Sequence, residues 1–358
     1  MLLNLLKYKY IRSAFAIVFI TWGFNSNAQS CCSEGCSCVN SDIAPAGVMN
    51  DHLHAQGDWM VSYRFMQMDM QSNINGSQSV SNGDVYNSYL MSPNKMSMDM
   101  HMLMIMYGLS DKVTLMLMPT YNVSSMSMNM YGTASQMQMP GMAPNVTMPN
   151  STSVSGFGDT KLYGLFGIAQ NSHYNLIASA GLSLPTGSIN EKAFTSVYSN
   201  LRADYIMQTG TGTIDFMPGI SLLAHEHGFD WGIQALGTYR PFYNANGYHF
   251  GNEGTAELWV AKKWNSFVSN SIRIDATADA QMSGYDKNLY AIMEPSADAS
   301  NYGGFRSYIY PGINFYPGTL LSTTFKIRIE YGLPVYEYAN GIQMAGKSNI
   351  LANLDLIF

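Results

Sequence analysis

The feature that most constrains the fold of this chain is a two-residue alternation between apolar and polar side chains. It is clearest between residues 320 and 332, where one parity is apolar and the other is polar or charged. The apolar parity comprises Leu321, Thr323, Phe325, Ile327, Ile329 and Tyr331, and the opposite parity comprises Ser322, Thr324, Lys326, Arg328 and Glu330. Similar stretches are separated by clusters of Gly, Asn, Pro, Ser and Asp, and helical periodicity is nowhere sustained. The pattern predicts an all-β protein of half-exposed strands, either a soluble sandwich or a membrane barrel.

Signs of export decide between these two folds. Residues 1–29 have the basic, apolar and small-polar order of a secretory signal peptide. No later apolar stretch approaches the ~20 residues of a spanning helix, so an exported chain of this kind crosses a bilayer only as a closed barrel. Aromatic residues near strand ends, such as Trp59 and Trp231, and a last strand that ends in Phe358 are typical of bacterial outer-membrane barrels. The sequence therefore predicts a transmembrane antiparallel β-barrel in the bacterial outer membrane, in contact with its lipid.

The strand count must be even, because both termini of such a barrel lie on the periplasmic side. Twelve strands are predicted, at 57–70, 95–108, 112–123, 157–169, 173–184, 213–224, 229–242, 253–264, 267–282, 304–316, 320–334 and 347–358. The long connections 71–94, 124–156, 185–212, 243–252, 283–303 and 335–346 then fall outside the cell as mobile loops. The predicted organisation is a signal peptide at 1–29, a short disordered periplasmic tail with Cys and His at 30–56, and the barrel at 57–358.

Composition excludes several classes of function. Charged residues are 12% of the chain and the net charge is −6, so no basic surface is expected to bind nucleic acid. The sequence contains no Gly-rich phosphate loop between a strand and a helix, no nucleophilic serine elbow and no zinc-protease motif. The chain is therefore not expected to be an enzyme, and no cofactor is required.

Several short motifs resemble a known family. They are Gly156-Phe157-Gly158-Asp159-Thr160-Lys161, Leu182-Ser183-Leu184-Pro185-Thr186-Gly187 and Tyr107-Gly108-Leu109-Ser110-Asp111-Lys112. They are similar to turns of the outer-membrane transporter-like family named for the meta-pathway of phenol degradation. The segments 47–54, 59–66 and 224–228 further resemble its methionine-rich subgroup. The resemblance implies an outer-membrane barrel of transport function and, for the subgroup, an association with copper handling.

Methionine is concentrated in one region. The chain has 27 methionines, of which 21 lie between Met49 and Met148. On the first three predicted strands, those of one parity are Met60, Met66, Met68, Met70, Met96, Met98, Met100, Met102, Met104, Met106, Met116 and Met118, and the next segment adds Met126, Met128 and Met130. The strand methionines share their parity with Ser62, Arg64 and Thr114, so they are expected to line the lumen. Thioether sulphur is a neutral soft ligand that prefers Cu(I), and by the same chemistry Ag(I). Alternatively, methionine is an adaptable apolar filler of the lumen or faces lipid.

Cysteine and histidine supply further candidate metal ligands. Cys31, Cys32, Cys36 and Cys38 form local disulfides, bind a soft metal or include an acylated Cys31. His52 and His54 precede the first strand, where they either capture a metal with Met49 or belong to a solvated polar segment.

Charged residues are expected to balance one another inside the barrel. The predicted lumen ion network comprises Arg64, Lys161, Arg240, Glu257, Arg273, Asp275, Lys326, Arg328 and Glu330. The predicted function is passage or capture of soft metal ions, chiefly Cu(I), by an outer-membrane transporter or channel with periplasmic metal-efflux components as partners. The alternative is a channel for small hydrophobic or aromatic compounds in which the methionines form an apolar lining.

Overall fold

The computed structural model describes residues 43–133, 145–171, 173–193, 201–320 and 323–358. Its strands are β1 (Trp59–Gly76), β2 (Gln78–Val80), β3 (Met91–Ser110), β4 (Val113–Met118), β5 (Thr120–Thr133), β6 (Asn145–Phe157), β7 (Thr160–Gln170), β8 (Tyr174–Leu184), β9 (Lys192–Ala193), β10 (Leu201–Arg202), β11 (Asp215–Glu226), β12 (Phe229–Thr238), β13 (Tyr248–His249), β14 (Glu253–Lys263), β15 (Val268–Asp279), β16 (Ser283–Gly284), β17 (Gly304–Leu320) and β18 (Thr323–Ile357). The helices are short: α1 (Asn82–Val85) and 3₁₀ turns at Tyr205–Met207, Pro295–Ala297 and Ala299–Asn301. Among the described residues, no helix is long and apolar enough to cross a membrane.

The main sheet closes on itself, because β1 pairs with β3 on one side and with β18 on the other. β18 is two barrel strands joined at its middle. Its first part, up to Ala339, pairs with β17, and the part from Ala339 onward pairs with β1. Gly341 has a φ of 77°, a left-handed conformation suited to the reversal between the two parts. With β4–β5 and β6–β7 each counted as one interrupted strand, the barrel has the predicted twelve strands.

Side-chain direction follows the predicted parity. On β18, Ile329 and Tyr331 are exposed on the outer face, whereas Lys326, Arg328 and Glu330 are buried inside. The last strand behaves in the same way, with Ile350 and Phe358 on the exposed face. Exposed Leu and Ile side chains recur on the outer face around the barrel and form the apolar belt that lipid requires.

The two ends of the barrel differ in the length of their connections. At one end, which we call the short-turn end, neighbouring strands meet in tight turns such as Ser110 to Val113 and Glu226 to Phe229. The other end, the long-loop end, carries the connections 185–214, 239–252 and 280–303. In bacterial barrels short turns face the periplasm and long loops face outward, which gives the expected orientation.

Several strands extend beyond the predicted limits at the long-loop end. The prediction that 124–156 is a loop is wrong for its described parts, because β5 and β6 form an antiparallel hairpin with Tyr121 opposite Phe157. The long connections also have a core of their own. Tyr205, Tyr248 and Met282 are buried together, and the rings of Tyr205 and Tyr248 lie 4.8 Å apart. The described parts of these connections are packed segments and not extended loops.

Candidate functional site in the barrel lumen

The methionines of the first strands face the interior, as the sequence predicted. We call this surface the thioether wall, defined by Met60, Met66, Met68, Met70, Met96, Met98, Met100, Met102, Met104, Met106, Met116, Met118, Met126, Met128 and Met130. Ten of these side chains are buried, with relative exposures between 0% and 6%, and the other five are partly buried. Met126, Met128 and Met130 join a buried cluster with Met91 and Met96. The prediction that these three lie in a mobile external loop is therefore wrong.

The strand register places methionine opposite methionine. Across β1 and β3, Met60 faces Met106, Met66 faces Met100, Met68 faces Met98 and Met70 faces Met96. Met106 in turn faces Met116 on β4, and Met96 faces Met126 on β5. Directly opposed residues of antiparallel strands have Cβ atoms roughly 4.5 to 5.5 Å apart. The thioether wall is therefore a ladder of paired side chains that runs from the short-turn end to the long-loop end and is interrupted where Ser62 faces Met104 and Arg64 faces Met102.

A charged wall faces the thioether wall. Arg273 on β15 contacts Glu257 at 3.2 Å, Asp275 at 3.3 Å and Glu330 at 3.0 Å, and its guanidinium lies 3.9 Å from the ring centre of Tyr310. Close to the long-loop end, a second cluster joins Arg240 to Asp215 at 3.4 Å and to Glu253 at 3.5 Å.

The remaining members of the predicted ion network also face inward. Arg328 lies 2.9 Å from Asp355, and the buried Lys326 has the same carboxylate among its electrostatic neighbours. Lys161 has Glu253 as an electrostatic neighbour, which places it in the second cluster. Arg64 donates to Asn353 Oδ1 at 3.2 Å and has no carboxylate at ion-pair distance among the described residues. The structure thus places these charges in a lattice inside the barrel.

Residues 43–56 cross the lumen, and we call them the N-terminal plug. Polar side chains of the barrel bind the backbone of the plug at one carbonyl after another. Asn314 donates to the carbonyl of Ile43 at 3.0 Å, Asn353 to that of Ala46 at 3.0 Å and Arg64 to that of Val48 at 3.2 Å. Further contacts join Gln234 to the carbonyl of Met49, Arg328 to those of Ala44 and Pro45, Glu330 to the amide of Gly47, and Asn50 to Ser179.

The partners of the N-terminal plug lie on strands around the whole barrel, from β1 and β8 to β12, β17 and β18. The plug therefore fills the lumen near the short-turn end. Residues 30–56 were predicted to form a periplasmic tail, whereas the structure places 43–56 inside the lumen. The sequence feature that could have indicated the plug is the run of small residues from Ala44 to Gly47. These residues fit a crowded lumen and lack the alternation of a strand.

Two histidines of the plug lie beside the thioether wall. His52 Nδ1 is 2.7 Å from Asp51 Oδ1, and His52 Nε2 is 3.4 Å from Met60 Sδ. The ring of His54 lies 4.8 Å from that of His52, and its Nε2 has no hydrogen-bond partner among the described residues. Burial lowers the pKa of His54 to about 3, with a further decrease from His52, so His54 is neutral at physiological pH.

A small cavity of about 50 Å³ lies at the long-loop end beneath the packed connections. Its lining includes the methionines Met128 and Met293 and the acidic residues Asp204 and Glu294. Burial raises the pKa of Asp204 to about 6, and burial together with Asp204 raises the pKa of Glu294 well above its ordinary value. Two neighbouring carboxyl groups in one desolvated site favour the protonated form.

This carboxyl pair predicts that the connections at the long-loop end loosen as the pH rises. Asp204 binds its proton more tightly in the folded state, so its stabilising contribution is complete below its ordinary pKa of 3.8 and is lost as the pH rises through about 6. The loss is on the order of 3 kcal/mol for this buried group. Protease cleavage within 285–303 is expected to be faster at pH 8 than at pH 5. The Asp204→Asn, Glu294→Gln double variant should remove the difference, and an unchanged pH dependence in that variant would contradict the assignment.

Some predicted features lie outside the described residues. These are the signal peptide at 1–29, the tail at 30–42 with Cys31, Cys32, Cys36 and Cys38, and the methionines between 134 and 144. Within the part of the chain that is described, no group of three or more His, Cys, Asp or Glu side chains is arranged to hold a metal ion. The metal role of the predicted ligands stays a prediction.

Comparison with known proteins defines the class of fold. No family model matches the chain, and no curated protein matches it. Among solved structures, an outer membrane channel from Pseudomonas putida F1 is similar with a TM-score of 0.57 and 13% identity, over 85% of this chain and 97% of that one. A mutant of the monoaromatic hydrocarbon channel TodX has a TM-score of 0.45 at 10% identity, over 85% of this chain and 90% of that one.

The first of these similarities shows that the chain has the fold of an outer-membrane β-barrel channel. The second has a TM-score below 0.5 and supports no conclusion about this chain. The barrel that the family resemblance implied is confirmed, whereas the copper association of its methionine-rich subgroup stays a prediction.

Proposed function

We propose that the protein is an outer-membrane channel for small, uncharged, apolar molecules, and that the thioether wall is the lining along which they move. The proposal rests on one observation, the ladder of opposed methionines that extends between the two ends of the barrel. Unbranched thioether side chains adapt their rotamers to irregular shapes, so the wall is able to yield to a passing molecule and close behind it. The methionine ladder offers apolar contacts to such a molecule, and charged side chains on the opposite wall form ion pairs with one another.

A charge placed on the ladder should block this route. Met100 faces Met66 near the middle of the wall, and a Met100→Glu variant would add a carboxylate to the apolar path, two positions along β3 from Met102, which faces Arg64. Uptake of radiolabelled toluene by cells that lack other aromatic channels is expected to fall by about tenfold or more, which corresponds to a barrier increase of at least about 1.4 kcal/mol. Replacement of the methionines at 96, 98, 100, 102, 104 and 106 with leucine keeps the apolar volume but not the unbranched side chain, so uptake is expected to fall far less than in Met100→Glu.

Ser127→Glu is the matched control, because it places the same charge on the neighbouring strand β5 but on its exposed outer face, directly opposite Lys95. The uptake of this variant is expected to equal that of the parent. Equal losses in Ser127→Glu and Met100→Glu, at equal amounts of folded barrel, would contradict a path along the wall.

Soft metal ions, Cu(I) and Ag(I), are the second candidate cargo. The observation in favour is that opposed thioethers on neighbouring strands bring two soft donors to the same level of the lumen. The leucine replacement separates the candidates, because leucine retains the apolar lining and has no sulphur. Loss of Ag(I) uptake with retained toluene uptake would favour the metal, and periplasmic metal-efflux partners belong to this second candidate alone.

A further inference from the structure

The contact between His52 and Met60 joins the N-terminal plug to the first strand of the thioether wall. Asp51 Oδ1 lies 2.7 Å from His52 Nδ1, so a carboxylate accepts the hydrogen of that nitrogen. The neutral imidazole then has its lone pair on Nε2, and Nε2 points at the thioether sulphur of Met60 from 3.4 Å. A carboxylate that fixes the tautomer of a histidine is the usual outer shell of a metal-binding imidazole. We propose that His52, His54 and Met60 bind a soft monovalent metal ion, Cu(I) or Ag(I), at this junction.

The separation of the two donor atoms fits a shared ion. With bond lengths of the size known for zinc, about 2.0 Å to nitrogen and about 2.3 Å to sulphur, a nitrogen–sulphur distance of 3.4 Å corresponds to an angle of about 105° at the metal, and the longer bonds of Ag(I) give a smaller angle. That angle suits three or four ligands and excludes a linear pair. The site therefore needs at least one more donor.

His54 supplies a third donor. Its ring lies edge to face with that of His52, 4.8 Å between centres, and its buried Nε2 is without a hydrogen-bond partner among the described residues. The backbone holds it in place, because the amide of His54 donates to Thr114 Oγ1 at 2.9 Å. Gly108 on β3 permits this close approach, since a Cβ at that position would collide with the carbonyl oxygen of Ala55.

Further thioethers stand next to this junction. Met106 lies opposite Met60, Met116 lies opposite Met106, and both side chains are buried in the same cluster as Met60. Either one is positioned to complete the coordination after a change of rotamer.

The donor set selects the metal. Imidazole nitrogen and thioether sulphur are neutral, and thioethers favour Cu(I) and Ag(I) over Zn(II) or Mg(II). A hard divalent ion would need several oxygen ligands, and within the described residues no group of three or more His, Cys, Asp or Glu side chains is arranged to hold a metal ion. The metal-binding site does not depend on which molecule the channel transports, because the site holds a bound ion and the proposed function concerns molecules that pass through.

Metal binding by the purified full-length protein in detergent tests the site. The parent for every sample carries serine at positions 31, 32, 36 and 38, so that cysteine does not compete for the metal. Chloride-free titration with silver nitrate is expected to reveal one site that is at least about tenfold tighter than the remaining thioethers. The X-ray absorption spectrum of that first equivalent should contain nitrogen and sulphur scatterers, which a sulphur-only wall site would not give.

His52→Phe and Met60→Leu should each weaken the first equivalent by about tenfold or more, and His52→Phe should reduce its nitrogen signal. His225→Phe is the matched control, because His225 makes a similar carboxylate contact, 2.9 Å from Asp230, in an exposed short turn. A heat-dependent shift in gel mobility verifies that each variant forms a barrel. If the first equivalent lacks nitrogen scatterers, or if folded His52→Phe and Met60→Leu bind Ag(I) as the parent does, His52 and Met60 form only an N–H to sulphur hydrogen bond and the proposal is wrong.

Discussion

Replacement of Arg273 with methionine is expected to destabilise the barrel by about 3 to 5 kcal/mol, because it leaves buried carboxylates without their cation. Arg273 is 2% exposed and contacts Glu257, Asp275 and Glu330 at 3.0 to 3.3 Å. Methionine is apolar and unbranched, so the variant removes the charge and keeps the part of the side chain nearest the backbone, while the space of the guanidinium beside Tyr310 is left open. Denaturant unfolding of the protein in detergent micelles, followed by gel mobility, measures the change in free energy of unfolding.

Arg306→Met is the control for this prediction. Arg306 pairs with Asp279 near the long-loop end, and its side chain is 51% exposed, so the loss of its ion pair should cost about 0 to 1 kcal/mol. A destabilisation by Arg273→Met no larger than that by Arg306→Met would contradict the view that the charged wall is a structural lattice.

The fold was largely predictable from the sequence, because lipid imposes a strict parity on every spanning strand. Ile329 and Arg328 occupy opposite faces as predicted, since an apolar side chain must meet lipid and a charged one must avoid it. Parity gives no information about how far a strand extends beyond the bilayer. The extension of β5 and β6 beyond the predicted limit at residue 124 therefore required the structure.

The lumen was predictable only in part. The inward direction of Met60 and Met106 follows from the parity that they share with charged and polar neighbours. Their pairing across β1 and β3 depends on the strand register, which the sequence does not determine because the exact length of the connection is not predicted. The plug was missed for a different reason. Its backbone is held by side chains such as Asn314 and Asn353, far away in the sequence, and a segment without secondary structure has no periodic pattern.

The side chains that hold the plug lead to the second large effect. Asn314, Asn353 and Gln234 donate to the carbonyls of Ile43, Ala46 and Met49. In the triple variant Asn314→Ala, Asn353→Ala, Gln234→Ala these carbonyls lose their partners, at roughly 1 to 3 kcal/mol for each buried group. Water forms hydrogen bonds to the same carbonyls once the plug leaves the lumen, so the equilibrium between the plugged and the open barrel shifts toward the open barrel. The conductance of single channels in planar bilayers is expected to rise several-fold over that of the parent.

Asn349→Ala and Asn73→Ala separate this effect from a general loss of lumen packing. Both asparagines are buried and face inward, but Asn349 donates to the Tyr310 hydroxyl at 3.1 Å and Asn73 to the Pro93 carbonyl at 2.9 Å. These bonds connect barrel residues to one another, so a combined Asn349→Ala, Asn73→Ala variant should destabilise the barrel by a comparable amount for each lost bond and leave the plug in place. Its conductance is expected to match that of the parent. An equal rise in both variants would mean that the lumen opens through movement of the wall, and an unchanged conductance in the triple variant would mean that Arg64, Arg328 and Glu330 are sufficient to hold the plug.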